Sequence, residues 1–302
     1  MTAPPRGRLP GIAWLTDLFP AGPPPGNAGD PGLYGPGSTV WRIARERLLL
    51  AGGPAALLLQ VAHPLVAAGV AEHSDFTADP LRRLRGTLDA TLTVTFGDRQ
   101  QADAAAALVA RRHHSVRGQL STSTGTFPAG TGYRADDPDL ALWVFATLVW
   151  SAVQVIDTFV GAVSLIDRDG YYADMREFGR RFAVPEALMP ADYAELEAYL
   201  QRTTRDVLVV GDVARRLANQ ILRPDPPLVP RPLRSIPSLL AAGLLPAPLP
   251  EAYGLAWRRR ERLIFAVLRG LTRRAVRLLP PPVRFWPHYR TALRRLGQPA
   301  RF

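Results

Sequence analysis

The chain has 302 residues, 47% of them hydrophobic and 21% charged, enough for one substantial buried core. It contains no cysteine, which excludes disulfides, thiolate zinc sites, iron–sulfur clusters, covalently attached c-type haem and a cysteine nucleophile. It contains no lysine either. All 37 basic residues are arginine and the net charge is +11, so lysine Schiff bases and a P-loop lysine are excluded too.

Residues 1–37 are rich in proline and glycine (PAGPPPGNAGDPGLYGPG) and read as an extended, partly disordered N-terminal arm. The order of segments that export requires is missing there, so a cytoplasmic location is expected. Ser38 or Thr39 caps a predicted helix from about residue 40 to the Gly52-Gly53-Pro54 break. A second helix, 55–63, meets Pro64, which lacks an amide hydrogen and so frees a carbonyl one turn back. Helix then resumes to about Ala71. Asp79-Pro80 opens a helix over 81–96, stopped by Gly97. The next, 104–118, starts among alanines and ends on Gly118. Residues 121–137 read as a polar loop.

Asp137-Pro138 starts a long apolar helix over 139–165. This helix and the stretch 55–71 are marginal in length for crossing about 30 Å of hydrocarbon, and buried core helices explain both better. Asp169-Gly170 reads as a turn. Helices follow at 171–182, 193–203, 205–222, 234–245, 258–279 and 289–296, with a proline linker at 224–230. Alternation with a period of two is nearly absent, so the expected fold class is all-α: one multi-helix domain over 38–297, then a tail at 298–302.

The charge is uneven. From Arg258 onward thirteen arginines face one acid, Glu261, so the rest of the chain is near neutral. These arginines alternate with Leu, Ile, Phe and Val at helical spacing (RLIFAVLRGLTRRAVRLL), which suits the solvated face of a packed helix first. Peripheral contact of 258–297 with an anionic membrane is the second reading, and no nucleic acid is expected.

Five histidines are present. His113 and Arg117 are four apart, so one helical face would carry a metal-donor nitrogen and a fork for a carboxylate, the pair that haem asks of a protein; solvated basic side chains at a helix end are the plainer reading. His63, among leucines and valines, reads as a satisfied core imidazole. His73 and Asp75 have the H-x-D spacing of a two-histidine, one-carboxylate iron site, although Ser74 and Asp75 look equally like a helix cap. His288 reads as structural. Arg83 and Thr87 form another four-residue pair. Serine-hydrolase, dinucleotide and metalloprotease signatures are missing, as are the E-x-x-H pairs of a di-iron bundle.

Several stretches occur in a telling order: GDPGLYGPGSTVWR, LLLQVAHPLVAAGVAEHSDF, DPLRRLRGT, HHSVRG, LALWVFATLV, YYADMREF and LPEAYGL with VRLLPPPVRFWP. Together they resemble the rubber-oxygenase (latex-clearing protein) and MpaB-like oxygenase family over roughly residues 29–297. The resemblance implies an all-α bundle that binds a b-type haem without a covalent link and uses dioxygen to cleave C=C bonds of isoprenoid chains to carbonyls. It places the axial histidine at His113, with Arg117 four residues on, and the upstream arginine and threonine at Arg83 and Thr87. Arg117 and Arg83 would then help bind haem, and Arg83 and Thr87 would serve catalysis. Two positions depart from the pattern: Gly86 stands where some rubber oxygenases have a distal lysine, and Phe145 where many relatives have a histidine.

The expectation is a haem-dependent oxygenase acting with dioxygen on a small, apolar, isoprenoid-like substrate; polymer outside the cell is not expected. Two alternatives stay open. One is a haem-less, non-catalytic binding or membrane-associated member of the fold; the other is a non-haem iron enzyme using His63, His73 and Asp75. No oligomeric state is assigned.

Overall fold

In the computed structural model the described residues are 20, 22–73, 80–223 and 233–299, with residues 80–83 described by backbone alone. Asp75 and the proline linker at 224–230 lie outside them. The fold is all-α, as expected, with one small hairpin.

Helix α1, Thr39–Ala44, starts where Ser38 Oγ accepts the Trp41 amide at 3.3 Å. The single helix expected over 40–52 is broken. Glu46 takes up an extended conformation and bridges to Phe285, while its buried carboxylate receives three bonds from Arg284 at 2.7 to 3.1 Å. A 3-10 helix, Arg47–Gly52, then leads into α2, Gly53–Val61, and α3, Pro64–His73. Pro64 bends the path by 107° between the 47–61 segment and α3. The next pair is α4, Pro80–Phe96, and α5, Arg99–His114. They pack as a hairpin around the Asp98–Gln101 capping box.

At the centre lies α6, Pro138–Phe159, capped by Asp137. Its Val149, Val153 and Phe145 pack into the main core with Leu58 and Leu59 of α2. α6 is long and apolar enough to cross a membrane, but more than half of its apolar window is buried inside the fold, which suits a core helix. It ends at Phe159 rather than near 165, because the Asp157 side chain accepts the Val163 amide at 3.0 Å. In α7, Leu165–Arg181, the expected turn at Asp169-Gly170 is helical: Gly170 packs against Thr39 of α1, and that contact outweighs the local turn propensity.

Around α6 follow α8, Tyr193–Asp206, and α9, Asp212–Leu222, with α10, Ile236–Leu244, and the short α11, Leu249–Ala252. The helix expected from 205 begins only at Asp212, since Val209 leaves the helix to donate to the Ala62 carbonyl at 3.0 Å. The C-terminal helices are α12, Arg259–Ala275, α13, Pro281–Arg284, and α14, Pro287–Arg295, with a 3-10 turn at Val276–Leu278.

The described part of the N-terminal arm runs through turns at 27–29, 32–34 and 36–38 and is tied down. Gly32, at φ +79°, runs so close to the α4–α5 turn that a Cβ there would fall 2.1 Å from the Gly97 carbonyl oxygen. Arg295 is buried and donates to the carbonyls of Asp30 at 2.7 Å, Phe96 at 2.9 Å and Pro25 at 3.4 Å. One guanidinium thus fastens the arm, α4 and α14 together. Arg295→Met leaves three acceptors without their charged donor and is expected to cost about 3 kcal/mol, read as a lowered urea midpoint.

Candidate functional site

Asp98 and Gln101 start α5 five residues before the expected position, and the helix stops at His114. The expectation that His113 and Arg117 share a helical face is therefore corrected. Arg117 opens strand β1, Arg117–Gln119, which pairs antiparallel with β2, Gly132–Arg134, in the register Arg117 to Arg134. Its guanidinium turns back to the His114 carbonyl at 2.7 Å. His114 contacts Asp136 at 3.3 Å, and Asp136 takes a 2.8 Å bond from Arg134. That arginine bond is the main reason the Asp136 carboxyl is held at about 2. Gly118, expected as the helix stop, belongs to β1 instead. There a Cβ would come within 2.4 Å of Tyr133 Oη, so only glycine allows the close approach.

His113 occupies the last turn of α5, exposed on one side, and its ring nitrogens have no hydrogen-bond partner among the described residues. Packed protein atoms on the other side push its pKa below the usual imidazole value, with Asp136 pulling the opposite way. The ring is a neutral imidazole at pH 7, the form a metal needs. Because α4 and α5 run back along each other, His113 lies across from the first turn of α4, which carries Arg83. Thr87 is exposed one turn further on, and a Cβ at Gly86 would meet nothing within 4 Å.

The corner beyond His113 is held by α3. Tyr133 Oη donates to the Glu72 carboxylate, and His73 Nε2 meets the Arg117 carbonyl at 3.1 Å. Ala68 of α3 packs with Leu120, Tyr133 and Leu140 in a small core beneath the hairpin. His73 thus positions a strand. It is separated from His63 by the length of α3, about 14 Å along the axis, so these two expected iron ligands do not converge. No group of three His, Asp or Glu side chains able to hold a metal occurs among the described residues.

At the other end of α3 Pro64 has no amide to offer the Gln60 carbonyl, which accepts the His63 amide at 3.2 Å instead. Trp143 Nε1 reaches it at 3.4 Å, and the Gln60 amide donates to Thr147 Oγ1 at 3.0 Å. Tyr253 Oη takes the Leu58 carbonyl at 2.6 Å. These partners were not singled out from the sequence, although Gln60 and Thr147 stand out as polar residues in apolar helices. His63 is buried in this bend, against Phe127 at 5.5 Å and Trp143 at 6.4 Å between ring centroids. Its Nδ1 is buried with no partner among the described residues, so the expected satisfied core imidazole is corrected. Burial pushes its pKa down to about 4. His288 is structural, as expected: fully buried, it joins α14 to α4 through Asp89 at 3.1 Å.

Tested against a haem, the donor chemistry fits at His113, whose neutral nitrogen is free beside an open helix face. Arg117 is exposed and spends one of its N–H groups on the His114 carbonyl at 2.7 Å. Helices α2 and α6 pack against each other in the main core. Two half-open cavities among the described residues lie elsewhere: about 260 Å³ beside Pro25 and Arg295, and about 370 Å³ beside Met189 and Tyr199. Phe145 sits in the main core against Tyr172 and Gly179, away from the small core that adjoins His113.

Fold and site together define an all-α domain that presents one unpartnered imidazole at a braced helix–hairpin corner. The chain belongs to the family described as ER-bound oxygenase mpaB/B'/Rubber oxygenase, catalytic domain, whose match spans residues 40–277. Among its relatives are the uncharacterized proteins Rv2237 of Mycobacterium tuberculosis and Mb2261 of Mycobacterium bovis. Each is 27% identical over 236 residues, covering 75% of this chain and 89% of the relative. No solved structure matches the chain.

The depressed His63 pKa has a definite sign in stability. Between about pH 4 and 6.5 the unfolded chain binds a proton at this histidine that the folded chain does not, so stability falls as the pH drops through that window. From pH 7.5 to 5 the loss attributable to His63 is about 2 kcal/mol. His113 and His288 are shifted in the same direction, so the comparison is with His63→Leu. Urea titrations at the two pH values are expected to show a smaller pH effect in that variant; an equal effect would remove His63 as its source.

Proposed function

We propose that the chain is an oxygenase domain that holds a b-type haem through His113 and oxidises C=C bonds of a small, apolar, isoprenoid-like substrate. The family's oxygenase chemistry supports the reaction class. The observation that carries the site is the imidazole of His113 in the last turn of α5, without a hydrogen-bond partner among the described residues and held below the usual imidazole pKa. A haem bound there supplies the activation of dioxygen.

The chain's own contribution is positional. His113 offers its nitrogen from a helix end fixed by the Asp136–Arg134 contacts one residue on and by the hairpin that follows. It stays neutral because burial on one side disfavours the imidazolium. Arg83 in the first turn of α4 is the residue proposed to balance the acids of the cofactor. Thr87 is the polar group proposed to orient a bound substrate or oxygen.

One observation favours a second reading, a family member that works without haem. The cavities of about 260 and 370 Å³ lie away from His113. Absorption spectroscopy separates the two. Protein purified from a haem-supplemented culture is expected to show a Soret band that His113→Ala abolishes and His63→Leu retains. A band that survives in His113→Ala moves the ligand elsewhere, and no band in the unaltered chain leaves the second reading.

A further inference from the structure

Most helices of the fold have one apolar face and bury it; α12 has two. Its core face is formed by Phe265, Leu268 and Thr272, followed by buried Val276 just past its end. On the side turned to water, Leu263, Val267 and Leu271 recur every fourth residue with Ile264 beside them. These four side chains are 44% to 66% exposed. Leu278, just past the helix, is 85% exposed and prolongs the apolar surface.

The charge pattern says what this stripe faces. With about 100° of turn per residue, the exposed Arg260 falls within the arc of the stripe at its N-terminal end, with Arg259 at its edge. Arg274 and Arg277 close its C-terminal end. The ion pairs of the basic C-terminal stretch are made at Arg284 and His288, and these four arginines have none among the described residues. Arg273, by contrast, is spent on structure, donating to the Asp157 and Thr158 carbonyls and so fixing α12 against the end of α6. The stripe is therefore presented by a helix that cannot roll over to hide it.

An exposed leucine, isoleucine and valine stripe edged by unpaired guanidinium groups is complementary to one kind of surface: apolar just below a layer of negative charge. We propose that α12 and the turn after it dock this chain onto an anionic lipid bilayer, with the stripe in the headgroup boundary and the arginines on the phosphates. A nucleic acid would use the arginines and leave the apolar stripe in water. A second copy would set the unpaired arginines of one α12 against those of the other.

The chain has no cysteine, so Val267→Cys takes a single environment-sensitive fluorophore, and Gln201→Cys on α8 serves as the distant control. With vesicles of phosphatidylcholine mixed with phosphatidylserine, the emission at position 267 is expected to shift to the blue while that at 201 does not. With phosphatidylcholine alone neither is expected to shift. In flotation of the unlabelled chain, Arg260→Glu combined with Arg274→Glu is expected to lower vesicle partition at least about tenfold, and added salt to lower it in the parent. Leu263→Ser combined with Leu271→Ser is expected to lower partition at every salt concentration. Circular dichroism of each variant checks that the helices persist. Equal partition onto neutral vesicles, or no partition at all, overturns the proposal. So does a label at 267 that is already shielded without vesicles, since the stripe is then covered by another part of the chain or by a second copy.

Discussion

The arrangement depends on the bend at Pro64. Up to Val61 the chain runs alongside α6 and fills the main core; beyond Pro64 it leaves at a steep angle as α3 and carries a second, smaller core. A proline inside a helix leaves an acceptor without a donor, and a buried carbonyl in that state is costly. Here the His63 amide takes the Gln60 carbonyl and the Ala62 amide the Leu58 carbonyl, and donors from distant segments join them: Trp143 on α6 at Gln60, Tyr253 at Leu58 and Val209 at Ala62. The bend is fixed in angle by partners that converge from across the fold.

From that point the hierarchy runs outward. α3 ends in Glu72 and His73, which hold Tyr133 and the Arg117 carbonyl, and these set the hairpin. The hairpin sets where α5 stops, and its last turn carries His113. Both histidines are deprived of water and therefore favour the neutral form, by different routes. His63 is enclosed by aromatic rings in the core, whereas His113 is crowded on one side and open on the other. The difference in access makes His113 the candidate for chemistry and leaves His63 a buried group with one nitrogen unanswered.

The helical class and most helices were readable in the sequence, because apolar periodicity, prolines and N-caps act locally. What escaped is what other segments decide. Glu46 leaves its helix for Arg284 in the far C-terminal region, and Gly170 is helical because Thr39 packs on it. The hairpin strands are three residues each, too short for alternation to register. The residues quoted for the family resemblance fall within or beside the matched span, and His113 lies in the last turn of its helix. The pairing of His113 with Arg117 failed because spacing by four means a shared face only while the helix lasts, and this one ends between them.

Phe127, in the loop joining the two strands, stacks near His63, while the strand at the hairpin's other end is bonded to His73, close to His113. α3 joins the same two ends. Helix and hairpin are thus twin struts of one closed frame, and neither slides without straining the other. The interval between the buried imidazole and the open one is in effect a fixed gauge: whatever wedged Phe127 away from His63 would load the corner that carries His113.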